Sequence, residues 1–142
     1  MSDQHSSPPA ARHRPTVLYR IAALSGALAV AIGAFGAHGL KPQLSDYQIL
    51  IFEKGVQYQF WHTLAMLFAA HLFAQSGGSN KRLRVAAWLF LAGIVCFSGS
   101  LYLLACRDLL PFSVAWAGPV TPLGGLCFLA GWGLLFAGTN EG

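Results

Sequence analysis

The sequence predicts an all-α integral membrane protein, a four-helix bundle with an amphipathic interfacial helix between helices 1 and 2. Hydrophobic residues make up 55% of the 142-residue chain and charged residues only 10%, whereas soluble domains carry roughly 25% charged residues. Several uncharged runs also approach the length of about 20 residues that a helix needs to cross the hydrocarbon core. The bilayer is therefore the expected solvent for most of the chain.

Residues 1–17 are polar and rich in serine and proline, which predicts a disordered tail. The transmembrane domain is expected at residues 18–138, with its first span at about 19–38. No Asp, Glu, Lys or Arg occurs between Ile21 and Leu40. A secretory signal peptide is the alternative, but this apolar run is longer than the usual h-region of about 7–15 residues.

Residues 41–54 predict the interfacial helix. Pro42 ends the first helix, and Ser45 followed by Gln48 fits a capping box that starts a new one. Apolar side chains then recur on one side of the segment with charged ones opposite, which is typical of a helix lying in the membrane interface. This helix either stays separate or continues into the second span, with Gly55 as the point of a possible bend.

The remaining spans are expected at about 56–74, 85–104 and 120–137. The second span has its polar residues concentrated in the first two turns, and the third is uncharged throughout. Thr121 and Pro122 predict the start of the fourth span, as an N-cap and a first-turn proline.

Lysine and arginine residues predict the orientation. Six of them flank one side of the predicted spans and three flank the other. Positive charge concentrates on the cytoplasmic side, so we expect both termini and the middle loop in the cytoplasm. The first group comprises Arg12, Arg14, Arg20, Lys81, Arg82 and Arg84, and the second comprises Lys41, Lys54 and Arg107. These residues sit in short clusters beside apolar runs, which does not indicate binding of nucleic acid.

Small residues predict close helix packing. Lipid gives no hydrophobic reward for helix association, so close backbone approach has to supply dispersion contacts instead. The favoured interpretation is packing within one bundle, and the alternative is a dimer seam. The residues concerned are Ser25, Ala29, Gly33 and Ala37 on the first helix and Gly124 and Gly131 on the fourth.

Three polar residues lie close together at the start of the second span. Tyr58 and His62 are four residues apart and share a helix face, with Gln59 adjacent to both. His62 is expected about 9 Å inside the span, a depth at which a polar side chain is a functional hypothesis by default. The structural alternative is that His62 hydrogen-bonds to a serine or to Tyr102 on the third span and locks the bundle.

His38 and Glu53 could face the same outer interface, which extends the possible polar site to His38, Glu53, Tyr58, Gln59 and His62. The sequence contains no HExxH motif, P-loop, nucleophile elbow or carboxylate pair. Its three cysteines lack the spacing of a metal site. We therefore expect no catalytic residues, no metal and no cofactor.

Four motifs in order together resemble the family of small membrane proteins known as domain of unknown function 423, which includes bacterial inner-membrane proteins and the animal transmembrane protein 256. The similarity covers about residues 18–136, and the motifs are GAFGAHGL at 33–40, FEKGVQYQ at 52–59 with His62, FSGSLY at 97–102, and TPLGG at 121–125 with Gly131 and Trp132. The resemblance implies a bacterial-type inner-membrane protein of unknown biochemical role. It transfers no catalytic residues, and it adds interest to the possible polar site at the outer leaflet.

Two functional hypotheses follow, and a third, a membrane enzyme, is disfavoured because only Glu53, or Cys96 or Cys106 facing a cavity, could supply its chemistry. The first is a non-enzymatic protein of the inner membrane that acts through helix–helix contacts, as an accessory or assembly factor or as a homo-oligomer. Its partners would be the lipid bilayer and a membrane protein, with no nucleic acid. The second is a small transporter or channel component that uses the polar cluster around His62.

Overall fold

The structure, a computed structural model, describes residues 16–140. Helix α1 comprises Thr16–Phe35 and continues into a π-helical turn at Gly36–Leu40. The disordered tail predicted for residues 1–17 otherwise lies outside the described residues, but its last two, Thr16 and Val17, are the first residues of α1.

Helix α2 comprises Asp46–Gln75, and α3 comprises Lys81–Gly93. A π-helical turn at Ile94–Ser98 joins α3 to α4, which comprises Gly99–Ala105, so that the three elements form one continuous helical run. After a short 3-10 turn, α5 comprises Ala117–Thr139. Residues 16–140 contain no β-strand, which confirms the all-α prediction for this part of the chain.

Three of these helical runs are long and apolar enough to cross a membrane: Val17–Leu40, Lys81–Ala105 and Ala117–Thr139. They contain the first, third and fourth predicted spans. Helix α2 is the longest element at 30 residues, but it is not among the three because polar side chains interrupt its apolar sequence. That α2 forms a fourth span stays a prediction.

The start of α2 confirms the predicted capping box. The Ser45 hydroxyl oxygen accepts a hydrogen bond from the Gln48 amide N at 3.3 Å, and the Gln48 side chain accepts one from the Ser45 amide N at 3.0 Å. The helix then runs without interruption through Gly55, which is buried beside Tyr102. Residues 46–54 are thus the first part of α2 rather than a separate helix, and their location in the membrane interface stays a prediction.

The predicted start of the last helix at Thr121 is wrong, because α5 begins four residues earlier, at Ala117. Pro119 lies in the first turn of α5. Backbone N–H groups there have no acceptor within the helix, so the N–H that proline lacks is not missed. Thr121 does not cap the helix; its hydroxyl donates instead to the Ala117 carbonyl at 3.3 Å. Pro122 consequently lies inside the helix.

Helix α2 occupies the centre of the molecule. One side packs against α1 and the other against α3 and α4, while α5 packs mainly against α3 and the π-helical turn that follows it. Direct contacts between α2 and α5 are few. The helices therefore form a row with an open cleft between α2 and α5.

Side-chain contacts at the helix ends define which ends lie together. The Tyr19 hydroxyl near the start of α1 lies 3.4 Å from Nδ1 of His71 near the end of α2. The Asn80 side chain, which caps α3, donates to the Gly138 carbonyl at the end of α5 at 2.9 Å. The first and last described helices thus have their outer ends on the same side of the molecule as the α2–α3 connection.

Glycines allow α5 to approach its neighbours closely. A Cβ atom added at Gly124 would overlap the backbone of Phe97, and one added at Gly131 would lie 2.9 Å from the ring of Phe90. Both glycines, which the sequence predicts as packing residues, are buried at the contact with α3 and its π-helical turn.

The small-residue stripe on α1 follows the α2 contact only in part. Ser25 and Ala29 are buried, and a Cβ atom at Gly33 would lie 3.2 Å from the Val56 side chain. Ala37 is exposed and lies outside this contact. Each step of four residues turns about 40° beyond a full helical turn, so the stripe has rotated by about 120° between Ser25 and Ala37.

Gly124→Ala is expected to lower the free energy of unfolding in detergent by about 1–3 kcal/mol, because the added methyl group meets rigid backbone rather than a flexible side chain. Gly133→Ala is the matched control, since the same change on the same helix has no atom within 4 Å of the new Cβ. Denaturant titration of the two variants measures the difference. Equal stabilities would contradict the close approach of α5.

Candidate functional site

A hydrogen-bond network centred on Gln59 connects three helices. Its amide nitrogen donates to the Ser25 carbonyl of α1 at 2.9 Å, and its amide oxygen accepts from the Tyr102 hydroxyl of α4 at 2.7 Å. Next to it, the hydroxyls of Ser25 and Thr63 lie 2.7 Å apart in a second α1–α2 hydrogen bond. Gln59 is only 5% exposed, so these protein partners replace the water that the amide would otherwise bind.

His62 lies on α2 one turn after Gln59 and is also buried, at 6% exposure. Its Nδ1 lies 2.8 Å from the carbonyl oxygen of Tyr58. A carbonyl can only accept, so Nδ1 carries the proton of this hydrogen bond. In a neutral imidazole ring, Nε2 is then an acceptor, and it has no hydrogen-bond partner among residues 16–140.

Among residues 16–140, His62 does not make the hydrogen bond to the third span that the structural alternative requires. Tyr102 bonds to Gln59 instead, and the Ser100 hydroxyl lies 2.7 Å from that of Thr121 on α5. The Ser98 hydroxyl is buried without a partner in the described part of the chain.

Aromatic rings surround the imidazole. The rings of His62 and Phe128 are stacked nearly parallel, with centroids 3.5 Å apart and an interplanar angle of 10°. Tyr58 stacks on Phe97 at 4.6 Å. Gly93 makes the position of Phe128 possible, since a Cβ atom there would overlap the Phe128 ring. The close approach of α5 to α3 therefore brings Phe128 onto His62.

These side chains line a cleft of about 750 Å³ between α2 and α5, which we call the His62 cleft. Its wall is largely apolar and aromatic, and the exposed side chains of Leu126 and Leu129 lie at its margin. On a membrane-spanning helix, such exposed leucines face hydrocarbon. We therefore expect the cleft to open toward the lipid rather than toward water. The residues that define it are Tyr58, Trp61, His62, Phe97, Phe128 and Trp132.

The structure brings together two of the five residues of the possible polar site, Tyr58 and His62. Tyr58 and His62 line the cleft, whereas Gln59 points into the α1–α4 network. His38 and Glu53 are exposed, and neither makes a hydrogen bond to these three. Glu53 precedes His62 by nine residues, which is two and a half helical turns and therefore the opposite helix face.

Sequence reasoning missed the pairing of Gln59 with Tyr102 and the stacking of Phe128 on His62. Both aromatic residues lie more than 40 residues from their partners along the chain, so no local spacing connects them. Tyr102 does belong to the FSGSLY motif of the family resemblance, which was the only signal available.

Gln59→Leu is expected to lower the stability of the folded protein by about 1–2 kcal/mol, because the Tyr102 hydroxyl loses its partner at a buried helix contact. Tyr102→Phe should cost much less in the Gln59→Leu background than alone, as a double-mutant cycle measures. Gln57→Leu, at an exposed position two residues away, is the control. Additive effects of the two substitutions would contradict the shared hydrogen bond.

Comparison with known proteins places the chain in a family. The sequence profile described as "Protein of unknown function (DUF423)" matches residues 32–125. A UPF0382 membrane protein of Staphylococcus aureus is 40% identical over 119 residues, which cover 84% of this chain and 91% of that protein. The UPF0382 membrane protein YwdK of Bacillus subtilis is 39% identical over 112 residues, covering 79% and 86% respectively.

No solved structure matches the chain. The sequence matches confirm the resemblance carried by the four motifs, and the names of the relatives agree with the three long apolar helices. The chain is therefore a membrane protein that belongs to the DUF423 family of proteins of unknown function.

Proposed function

We propose that the protein is a non-enzymatic, four-span protein of the bacterial inner membrane that acts through helix contacts with another membrane protein or with a second copy of itself. The observation that carries the proposal is the outward face of α1. This helix packs mainly against α2, and its opposite side exposes alanines where a lipid-facing helix usually has large side chains. These residues are Ala23, Ala27, Ala31 and Ala34.

Small residues on a membrane helix let a second backbone come close enough for dispersion contacts and weak hydrogen bonds. The equivalent small residues on the inner side of α1, such as Ser25 and Ala29, already serve the contact with α2. By the same physical argument, the outer alanines offer a smooth surface to a further helix. This favours an accessory, assembly or homo-oligomeric role.

The length and polarity of α2 support a fourth span. Its 30 residues extend about 45 Å, enough to cross a core of about 30 Å and to keep its charged first part among the headgroups. The polar side chains of Gln59 and Thr63 point to partners on α1 and α4, so lipid does not have to solvate them. Phe60, Leu64 and Phe68 are exposed on the remaining face and suit contact with lipid.

The distribution of charge supports cytoplasmic termini. The end of the molecule that holds the α2–α3 connection carries Arg20, Lys81, Arg82 and Arg84, and none of the described acidic residues. The other end carries Lys41, Lys54 and Arg107 together with three carboxylates. Lysine and arginine concentrate on the cytoplasmic side, which favours that side for the α2–α3 connection and both chain ends.

A role without covalent chemistry is supported by how the reactive groups are used. The Asp108 carboxylate accepts a hydrogen bond from the Gln48 side chain at 2.7 Å, and Glu53 lies on the opposite helix face from His62. Burial raises the pKa of the Cys106 thiol, which disfavours the nucleophilic thiolate.

The second candidate is a small transporter or channel component, and the His62 cleft is the observation that favours it. An ion or polar solute needs a sequence of polar groups along its path. The cleft wall is mainly apolar, and Gln59 and Thr63 are occupied by protein partners. Helix contact is therefore the better supported function.

Single-cysteine labelling in cells tests the arrangement in the membrane, after replacement of Cys96, Cys106 and Cys127. A membrane-impermeant reagent is expected to label Ser45→Cys and Ser113→Cys from outside and to leave Ser79→Cys unlabelled until the membrane is opened. Labelling of Ser79→Cys from outside would reverse the orientation. Outside labelling of both Ser45→Cys and Ser79→Cys would exclude a crossing by α2.

A photo-crosslinking residue at Ala27 tests the contact face. Irradiation in cells is expected to give a protein adduct of discrete mass, either twice the mass of the chain or that of one partner. The matched control is the same residue at Leu28, which is 46% exposed on the same helix but is turned about 100° away from Ala27. Adducts at both positions, or at neither, would count against a helix contact at this face.

A further inference from the structure

We propose that the His62 cleft binds a lipid-soluble phenol or hydroquinone, an aromatic ring that carries a hydroxyl group and an apolar tail, and that His62 accepts a hydrogen bond from that hydroxyl. The inference goes beyond the helix contacts of α1, since it concerns a different face of the molecule. It rests on the hydrogen-bonding state of His62, its depth, the shape of the cleft and its lining.

The imidazole fixes which kind of group the ligand must present. Nδ1 is committed to the Tyr58 carbonyl at 2.8 Å, so the neutral ring offers an acceptor at Nε2. His62 is 6% exposed and lines the cleft. An acceptor in an apolar setting that no donor satisfies is unfavourable. A ligand hydroxyl satisfies it, whereas a ligand that carries only acceptors repels the same lone pair.

The depth of His62 disfavours the headgroups of ordinary phospholipids as ligands. In the proposed crossing of the bilayer by α2, on which this inference rests, His62 lies about 9 Å beyond Val56, where the span begins, and about 20 Å from the end of the helix. The donors of phospholipid headgroups remain at the surface of a hydrocarbon core about 30 Å thick. The hydroxyl therefore belongs to a molecule that is apolar enough to dissolve in the interior of the bilayer.

The lining favours an aromatic ring on that molecule. Trp61, Phe97 and Trp132 contribute to the wall, and His62 itself is stacked against Phe128. Aromatic rings attract one another beyond the effect of buried area when they meet offset or edge to face. The volume of about 750 Å³ falls within the range of about 300–1,000 Å³ that small-molecule sites occupy.

The cleft is also accessible from the side, at its margin on α5. Leu126 and Leu129 are 61% and 70% exposed at the margin of the cleft, so a molecule dissolved in hydrocarbon can enter sideways between α2 and α5. Few direct contacts join these two helices. The apolar tail then remains in the lipid.

The test uses 4-octylphenol and its methyl ether, 4-octylanisole, with the full-length protein in lipid nanodiscs. The two probes share ring and tail, but only the phenol can donate a hydrogen bond. Trp61 and Trp132 report binding by fluorescence once the other two tryptophans are removed as Trp88→Phe and Trp116→Phe. The Kd of the phenol is expected to be about tenfold lower than that of the ether. This ratio corresponds to about 1.4 kcal/mol, the contribution of one hydrogen bond.

His62→Phe is expected to abolish this preference while the ether still binds. His62→Gln, which restores an acceptor, should recover part of it. His71→Phe is the control, because His71 lies near the far end of α2 and its ring contacts Tyr19 rather than the cleft. Equal affinities for phenol and ether in the unsubstituted protein would overturn the proposal, and so would an unchanged preference in His62→Phe. If His62→Phe does not fold, the proposal is tested by the difference in affinity between phenol and ether in the unsubstituted protein.

Discussion

The packing of the molecule depends on a buried amide that has to find its partners within the protein. Gln59 lies in the middle of α2 and is almost fully buried, and its amide is satisfied by the Ser25 carbonyl on one side and the Tyr102 hydroxyl on the other. One side chain thereby fixes α2 relative to both α1 and α4. A rotation of α2 would break both hydrogen bonds at once, so the network sets the direction in which the next turn points His62.

Close backbone approach on the other side of the molecule complements this network. Gly93 and Gly124 bring α5 against α3 and the π-helical turn, and Phe128 is thereby held face to face with His62. Polar contacts thus bind α2 to α1 and α4, and steric fit binds α5 to α3. Between α2 and α5 the main contact is the stack of His62 on Phe128, and the His62 cleft lies between these two helices. The outer face of α1 takes part in neither of these two sets of contacts.

Much of this architecture follows from the sequence because the signals are local. Uncharged runs predict the three long apolar helices of the described residues, and Ser45 with Gln48 predicts the start of α2. The start of α5 was misplaced, because both Pro119 and Pro122 suit the beginning of a helix and only the packing of Ala117 distinguishes them. The partners of Gln59 and His62 could not be predicted, since they depend on how helices rotate against one another. Spacing along one helix was sufficient to bring Tyr58 and His62 to one cleft, and it also separates Glu53 from them.

The central claim is that α2 crosses the bilayer with its polar side chains turned inward. Spin labels placed along α2 in reconstituted bilayers test it directly, with oxygen as the relaxing agent of the lipid phase and a nickel chelate as that of water. We expect labels at Phe60, Leu64 and Phe68 to be relaxed by oxygen and protected from nickel, and a label at Tyr47 to be relaxed by nickel. Nickel access at all four positions would contradict the account, because α2 would then lie along the membrane surface instead of crossing it.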